Sequence, residues 1–271
     1  MTLSLFHYLR ALYGIVGREL FRFVHQRERF ISALVRPLLW LFVFAAGFRS
    51  TLGIAIIPPY ETYILYEVYI TPGLLGMIQL FNGMQSSLSM VYDREMGSMR
   101  TLLVSPLPRW FLLTAKLLAG TLVSILQAYA FLAVAWGYGI QAEPSGYISV
   151  FPALLLSGLM LGALGLLLSS VIKQLENFAG VMNFVIFPLF FLSTALYPLW
   201  KLQESSELLY LLARYNPFSA AVELIRFALY GRLNVPAGAV VLATLMALMA
   251  SAIYGYNPSK GFMQRKGNAN I

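Results

Sequence analysis

Residues 148–172 read ISVFPALLLSGLMLGALGLLLSSVI, without one charged side chain. A helix needs about 20 apolar residues to cross the roughly 30 Å hydrocarbon core of a bilayer. A helix that is apolar all round has no face to turn to water. Inside the hydrocarbon, helical pairing satisfies every backbone N–H and C=O from within the segment. This stretch therefore decides the fold class: an all-α integral membrane protein. Composition agrees, since the chain is 59% hydrophobic and only 11% charged, against about 25% charged in soluble domains.

Five further runs of the same kind surround it, which gives six transmembrane helices in a single membrane domain spanning 1–271. Spans one to five fill 30–199: Phe30–Phe48, Tyr69–Tyr92, Phe111–Tyr138, Ile148–Ile172 and Phe178–Leu199. The sixth, Val235–Tyr256, lies within 235–256 and stops at Asn257-Pro258, before a tail over 257–271. Arg36-Pro37 falls near the start of the first span, where an arginine can snorkel and a proline is tolerated. Ahead of the spans, 5–29 has Leu5, Leu9, Leu12, Val16, Leu20 and Phe23 on one side and Arg18, Arg22, Gln26 and Arg29 on the other. That pattern predicts an interfacial amphipathic helix, arginines toward anionic lipid. Between spans five and six, 200–234 contains Leu208–Ala213, Asn216-Pro217 and Ala220–Tyr230, each apolar piece too short to span. Two short helices joined at Asn216-Pro217 are expected there, re-entering the membrane from outside and capping the bundle.

Lysine and arginine set the orientation. They crowd into the N-terminal helix, the 93–110 loop and the tail with Lys260, Arg265 and Lys266, while the opposite loops hold only Arg49, Lys201, Arg214, Arg226 and Arg232. Both termini are therefore expected to be cytoplasmic. The net charge of +8 follows from this bias and implies no nucleic acid partner.

Several chemistries are excluded. The chain has no cysteine, hence no disulfide, thiolate metal site or cysteine nucleophile. It has no G-x-x-x-x-G-K-[ST] phosphate loop, and its two histidines, His7 and His25, sit in the N-terminal segment without a partner nucleophile. No catalytic, metal or cofactor-binding residue is assigned, so the chain reads as a non-enzyme. No Asp, Glu or His falls inside the six spans as drawn. Ion-coupled carriers commonly place such groups there, so a self-powered carrier is disfavoured.

Gln79, Asn82, Gly83, Ser86 and Ser89 form a polar stripe on the second span. They line a translocation path or serve as interhelical hydrogen-bonding groups; Gln79, Asn82 and Ser86 are the pathway candidates. Gly158, Gly162, Gly165 and Ser169 form a small-residue stripe that reads as close helix packing. Tyr60, Tyr63, Tyr66 and Tyr69 read as an aromatic belt at the outer membrane interface.

Residues 93–106, DREMGSMRTLLVSP, are a charged segment between two spans. Asp93-Arg94-Glu95 ends the second span, Gly97 permits a sharp turn, Leu102 and Leu103 offer an apolar anchor, and Ser105-Pro106 breaks the helix. The pattern Glu95-x-Gly97-x-x-x-x-Leu102-Leu103-x-Ser105-Pro106 resembles the E-x-G-x-x-x-x-L-L-x-[ST]-P element of ABC-2 type transporter permeases. Asn216-Pro217-Phe218 followed by Glu223-Leu224-Ile225-Arg226 is similar to the second element of that family, N-P-[LF] then E-x-[IL]-R. The resemblance covers nearly the whole chain and implies the permease subunit of an ATP-binding-cassette exporter in a bacterial cytoplasmic (inner) membrane. It implies a separate ATPase subunit that binds ATP and magnesium, a second permease subunit giving a homodimer, surrounding lipid, and an amphiphilic or polymeric substrate. Residues 93–106 would be the coupling helix seated in the ATPase. Asn216, Pro217, Glu223 and Arg226 would belong to an external gate. The alternatives are a transporter or channel working without an ATPase, and a non-transporting membrane assembly factor.

Overall fold

The computed structural model describes residues 5–25, 27–44, 47, 57–95, 107–172 and 174–256. Among these the chain is helical, and its helices are numbered here in chain order. α1 is Leu5–His25 and α2 is Arg27–Leu39, which continues as a π-helical turn over Trp40–Phe44. α3 is Tyr66–Glu95, α4 is Arg109–Gly137 and α5 is Gly146–Val171. α6 is Leu175–Phe191; the short helices α7 (Leu199–Ser205), α8 (Glu207–Tyr215) and α9 (Pro217–Ala228) precede α10, Val235–Gly255.

Three helices, α4, α5 and α10, are long and apolar enough to cross a membrane. α3, with 30 residues, reaches about 45 Å at 1.5 Å per residue, but its polar stripe makes it less apolar. α10 buries little beyond Ala237, Val241, Ala252 and Gly255, and turns Val240, Leu242 and Met246 outward. α6 likewise exposes Phe184, Phe187 and Phe191. Outward apolar faces of this size suit hydrocarbon rather than water.

α5 is the centre, packed against α3, α4, α9 and α10. Its small-residue stripe is used for close packing, as the spacing suggested: Gly165 and Gly158 lie against α3, and Gly158 and Gly162 against Thr121 and Leu117 of α4. A Cβ on Gly83 would lie 2.9 Å from the Gly162 Cα, and one on Gly165 would lie 2.6 Å from Ser87 Oγ and 2.8 Å from the Gly83 carbonyl oxygen. The backbones of α3 and α5 thus touch where both helices lack side chains, the small-residue mode of helix association in membranes. Gln79 reinforces the seam: its amide nitrogen donates to the Leu154 carbonyl at 2.5 Å and its Oε1 accepts from Ser157 Oγ at 2.6 Å.

Three expectations from the sequence need correction. The helix expected over 5–29 ends at His25, and Arg27 and Arg29 open α2 instead. α1 also lies along α4, with Tyr8 edge-on to Phe111 at 5.0 Å and Phe23 buried, so part of its apolar face is covered by protein. Second, the helix expected over Phe178–Leu199 ends at Phe191. The side chains of Ser193 and Asn216 bind the carbonyls of Phe190, Leu189 and Leu192, so the final turn of α6 is satisfied without further helix. Third, Tyr60, Tyr66 and Tyr69 are buried in the bundle and only Tyr63 is exposed, so they do not form an interfacial belt. For Tyr69 the reason lies in α9.

Candidate functional site

Asn216 starts the site. Its Oδ1 accepts the Phe218 N–H at 2.9 Å and so caps α9, with Pro217 at the first helical position, where its missing N–H is not needed. Its amide nitrogen donates to the carbonyls of Leu189 at 2.8 Å and Leu192 at 2.6 Å. One side chain therefore begins α9, ends α6 and joins them. Replacing Asn216 with alanine removes a cap and two interhelical hydrogen bonds, an expected loss of about 2 kcal/mol. A thermal melt of the purified variant reads this directly, and an unchanged melting temperature refutes the role.

From that cap α9 runs inward with Phe218, Ala221, Val222 and Ile225 fully buried. Phe218 fills the space left by Gly76, where a Cβ would come within 3.1 Å of the ring. One face further round carries the ion pair of Glu223 and Arg226, spaced one helical turn apart. Arg226 is 1% exposed. A buried guanidinium is tolerated only when paired and hydrogen-bonded, and Arg226 gathers its partners from three elements. Glu223 supplies the counter-charge from α9 itself. Tyr69 of α3 supplies a ring whose centre lies 4.1 Å from the guanidinium carbon, a cation–π contact. The turn after α6 supplies the Thr194 carbonyl, which accepts from Arg226 Nη2 at 2.8 Å and from the Tyr69 hydroxyl at 3.0 Å. Ser219 of α9 adds a bond by accepting the Thr194 N–H at 3.1 Å. That turn lies flat on α3 because Gly73 has no side chain; a Cβ there would meet the Ala195 backbone at 2.6 Å. Tyr60 closes the cluster from the chain before α3, edge-on to Tyr230 at 4.9 Å. Arg226 Nε, Thr194 Oγ1 and the Tyr60 hydroxyl are buried with no hydrogen-bond partner among the described residues. The cluster is tightly assembled yet keeps spare polar capacity.

The sequence singled out Asn216, Pro217, Glu223 and Arg226, and the fold brings all four into one assembly. It missed Tyr69, Tyr60, Gly73 and the Thr194 carbonyl. Glu223 and Arg226 one turn apart in an apolar segment signal a need for further buried partners; a backbone carbonyl leaves no such sign.

At the other end of α3, Asp93, Arg94 and Glu95 form its last turn. Twenty-six residues separate Tyr69 from Glu95, about 39 Å of helix. Gly97, Leu102, Leu103, Ser105 and Pro106 lie outside the described residues. Of the pathway candidates, Gln79 is committed to the α3–α5 seam. Asn82 donates to the Ile78 carbonyl at 3.0 Å and to Gln127 Oε1 of α4. Asn82, Ser86 and Ser89 line a cavity between α1, α3 and α4.

The family model described as "ABC-2 type transporter" matches residues 10–230; the chain belongs to that family. Among its relatives, "Putative transport permease ycf38" of Cyanophora paradoxa is 28% identical over 233 residues, 83% of this chain and 76% of the relative. Its namesake in Pyropia yezoensis is 26% identical over 228 residues, with the same coverage of 83% and 76%. "Probable multidrug ABC transporter permease YbhR" of Escherichia coli strain K12 is 34% identical over 129 residues, 46% of this chain and 35% of the relative. The chain is a membrane transport permease of the ABC-2 family, a class that works in general with an ABC ATPase.

Proposed function

We propose that this chain is the permease subunit of an exporter, paired with a second copy of itself and driven by a separate ATPase that holds ATP and magnesium. The observation that supports the reading is that α3 joins the Arg226 cluster to the three residues that open the 93–106 motif. The Arg226 cluster grips its first turns and Asp93-Arg94-Glu95 form its last. A helix of about 45 Å packed along α5 is stiff enough to carry a displacement from one end to the other. In this reading the segment 93–106 is the coupling helix, with Glu95, Gly97, Leu102, Leu103, Ser105 and Pro106 seated in the ATPase. α8 and α9 form the outer gate, and Arg226 is its latch. Asn82 and Ser86 face the substrate path.

The proposed topology has six spans with both termini in the cytoplasm of a bacterial cell, in its cytoplasmic membrane. α4, α5 and α10 are three of the spans, α3 a fourth, and α6 and the α2–π segment the remaining two. α6, at 17 residues, reaches about 26 Å, and the turn held by Arg226 completes the depth. The outward apolar faces of α6 and α10 suit lipid, and an amphiphilic or polymeric cargo is the substrate class proposed. The relative named a multidrug permease supports an amphiphile.

Replacing Glu95 with alanine tests the coupling role. Membrane insertion and yield are expected to be unchanged, while substrate-stimulated ATP hydrolysis by the complex falls at least fivefold. Full stimulation in the variant would refute the assignment.

A further inference from the structure

The cavity between α1, α3 and α4 measures about 70 Å³ and is lined by Glu19 and Phe23 of α1, Asn82, Ser86 and Ser89 of α3, and Gly120 of α4. It is far smaller than the roughly 300–1,000 Å³ of a site for a whole drug-sized molecule, so it suits a headgroup. Its hydrogen-bonding character follows from where the donors are spent. The Ser89 hydroxyl donates to the Ser86 carbonyl at 2.7 Å. The Asn82 amide nitrogen donates to the Ile78 carbonyl at 3.0 Å and to Gln127 Oε1. What is left to the cavity is mainly acceptors: Asn82 Oδ1, the serine oxygen lone pairs and the Glu19 carboxylate. Phe23 adds an aromatic wall, favourable to a cation.

Two positive charges stand nearby. Arg18 pairs with Glu19 at 3.3 Å, but its side chain is 71% exposed, and such solvated pairs hold weakly. Lys116 lines the adjoining narrow cleft that shares Ser86 and Gly120.

We propose that this cavity is a binding subsite for an alkylammonium headgroup, with Glu19 as its counter-charge and Asn82 and Ser86 as acceptors. The inference deepens the transport reading by naming a cargo chemistry, and rests on it for biological meaning. The binding itself needs neither an ATPase nor transport. The ammonium group is carried by a free amphiphilic amine or by a membrane lipid such as phosphatidylethanolamine.

Because the chain has no native cysteine, the variant Ser86→Cys places one thiol at the cavity. Purified protein in nanodiscs of phosphatidylglycerol, a lipid without an ammonium group, is labelled with a trimethylammonium and a sulfonate methanethiosulfonate reagent. Each forms a mixed disulfide and releases methanesulfinate. Ser205→Cys, on an exposed position, gives the reference rate ratio. The ratio of cationic to anionic labelling at position 86 is expected to exceed that reference at least fivefold, and Glu19→Gln is expected to remove the excess while leaving the reference unchanged. Dodecylammonium should slow labelling at least fivefold if the source is an amphiphilic amine; phosphatidylethanolamine in the nanodisc should do so if the source is the lipid. An unaltered ratio in Glu19→Gln, or protection by neither ammonium source, overturns the proposal. Either failure leaves the transport reading standing, since that is tested separately through Glu95.

Discussion

Replacing Arg226 with alanine is expected to be the most damaging single change to this protein. It removes a group that binds α3, α9 and the turn after α6 together. Glu223 loses its partner, the Thr194 carbonyl loses one of its two donors, and the face of Tyr69 is left against a void. Breaking a buried ion pair from one side costs about 3–5 kcal/mol, and Glu223, whose side chain is 25% exposed, recovers part of its hydration, so about 3 kcal/mol is expected. For a chain of this length that is a fall in melting temperature of roughly 6–12 °C. Transport is expected to be abolished. Arg226→Lys separates charge from geometry: it keeps the positive charge but loses the planar fork and the stack on Tyr69. It should therefore recover part of the stability and little of the transport. A melting temperature within about 2 °C of the parent for Arg226→Ala would show that the cluster is not a structural junction, since such a shift corresponds to under about 1 kcal/mol.

The second large effect is expected at the α3–α5 seam. Gly83→Val drives a branched side chain into backbone, because a Cβ at that position already lies 2.9 Å from the Gly162 Cα and 3.0 Å from its nitrogen. Backbone cannot rotate away as a side chain does. The two helices must separate, which costs about 3 kcal/mol of packing and also pulls Gln79 from Ser157. The variant should accumulate poorly in membranes and melt well below the parent. Gly17→Ala is the control, since nothing lies within 4 Å of a Cβ there; it is expected to be neutral or to stabilise α1 by a few tenths of a kcal/mol. Equal behaviour of the two variants would contradict the seam.

The contrast between these sites shows what the sequence made legible. Uninterrupted apolar length announces α4, α5 and α10, because the bilayer imposes one length and one periodicity on every crossing. The Gly158–Gly165 stripe announced its own packing for a similar local reason. The Asn216-Pro217 junction was readable because a cap and a proline at the first helical position act within three residues. The end of α6 was not readable. Leu192–Leu199 is apolar enough to continue a span, and it turns only because Asn216 and Arg226, more than twenty residues later, bind its carbonyls. The burial of Tyr69 was hidden for the same reason: an aromatic belt and a cation–π partner are the same residue type, told apart by a charge that arrives from another helix. Glu19 was passed over because a lone carboxylate on an amphipathic helix reads as solvated surface until α3 and α4 close a cavity around it.

The central claim is that an engine outside the bilayer holds this permease at the segment that follows α3. The direct measurement is a cross-link from a Glu95→Cys variant of the otherwise cysteine-free chain, formed in native membranes and identified by mass spectrometry. The account predicts an adduct with an ABC ATPase subunit, formed from the cytoplasmic side and altered in yield when ATP is trapped with vanadate. Labelling of that position by a membrane-impermeant thiol reagent added outside the cell, with no ATPase adduct, would contradict it.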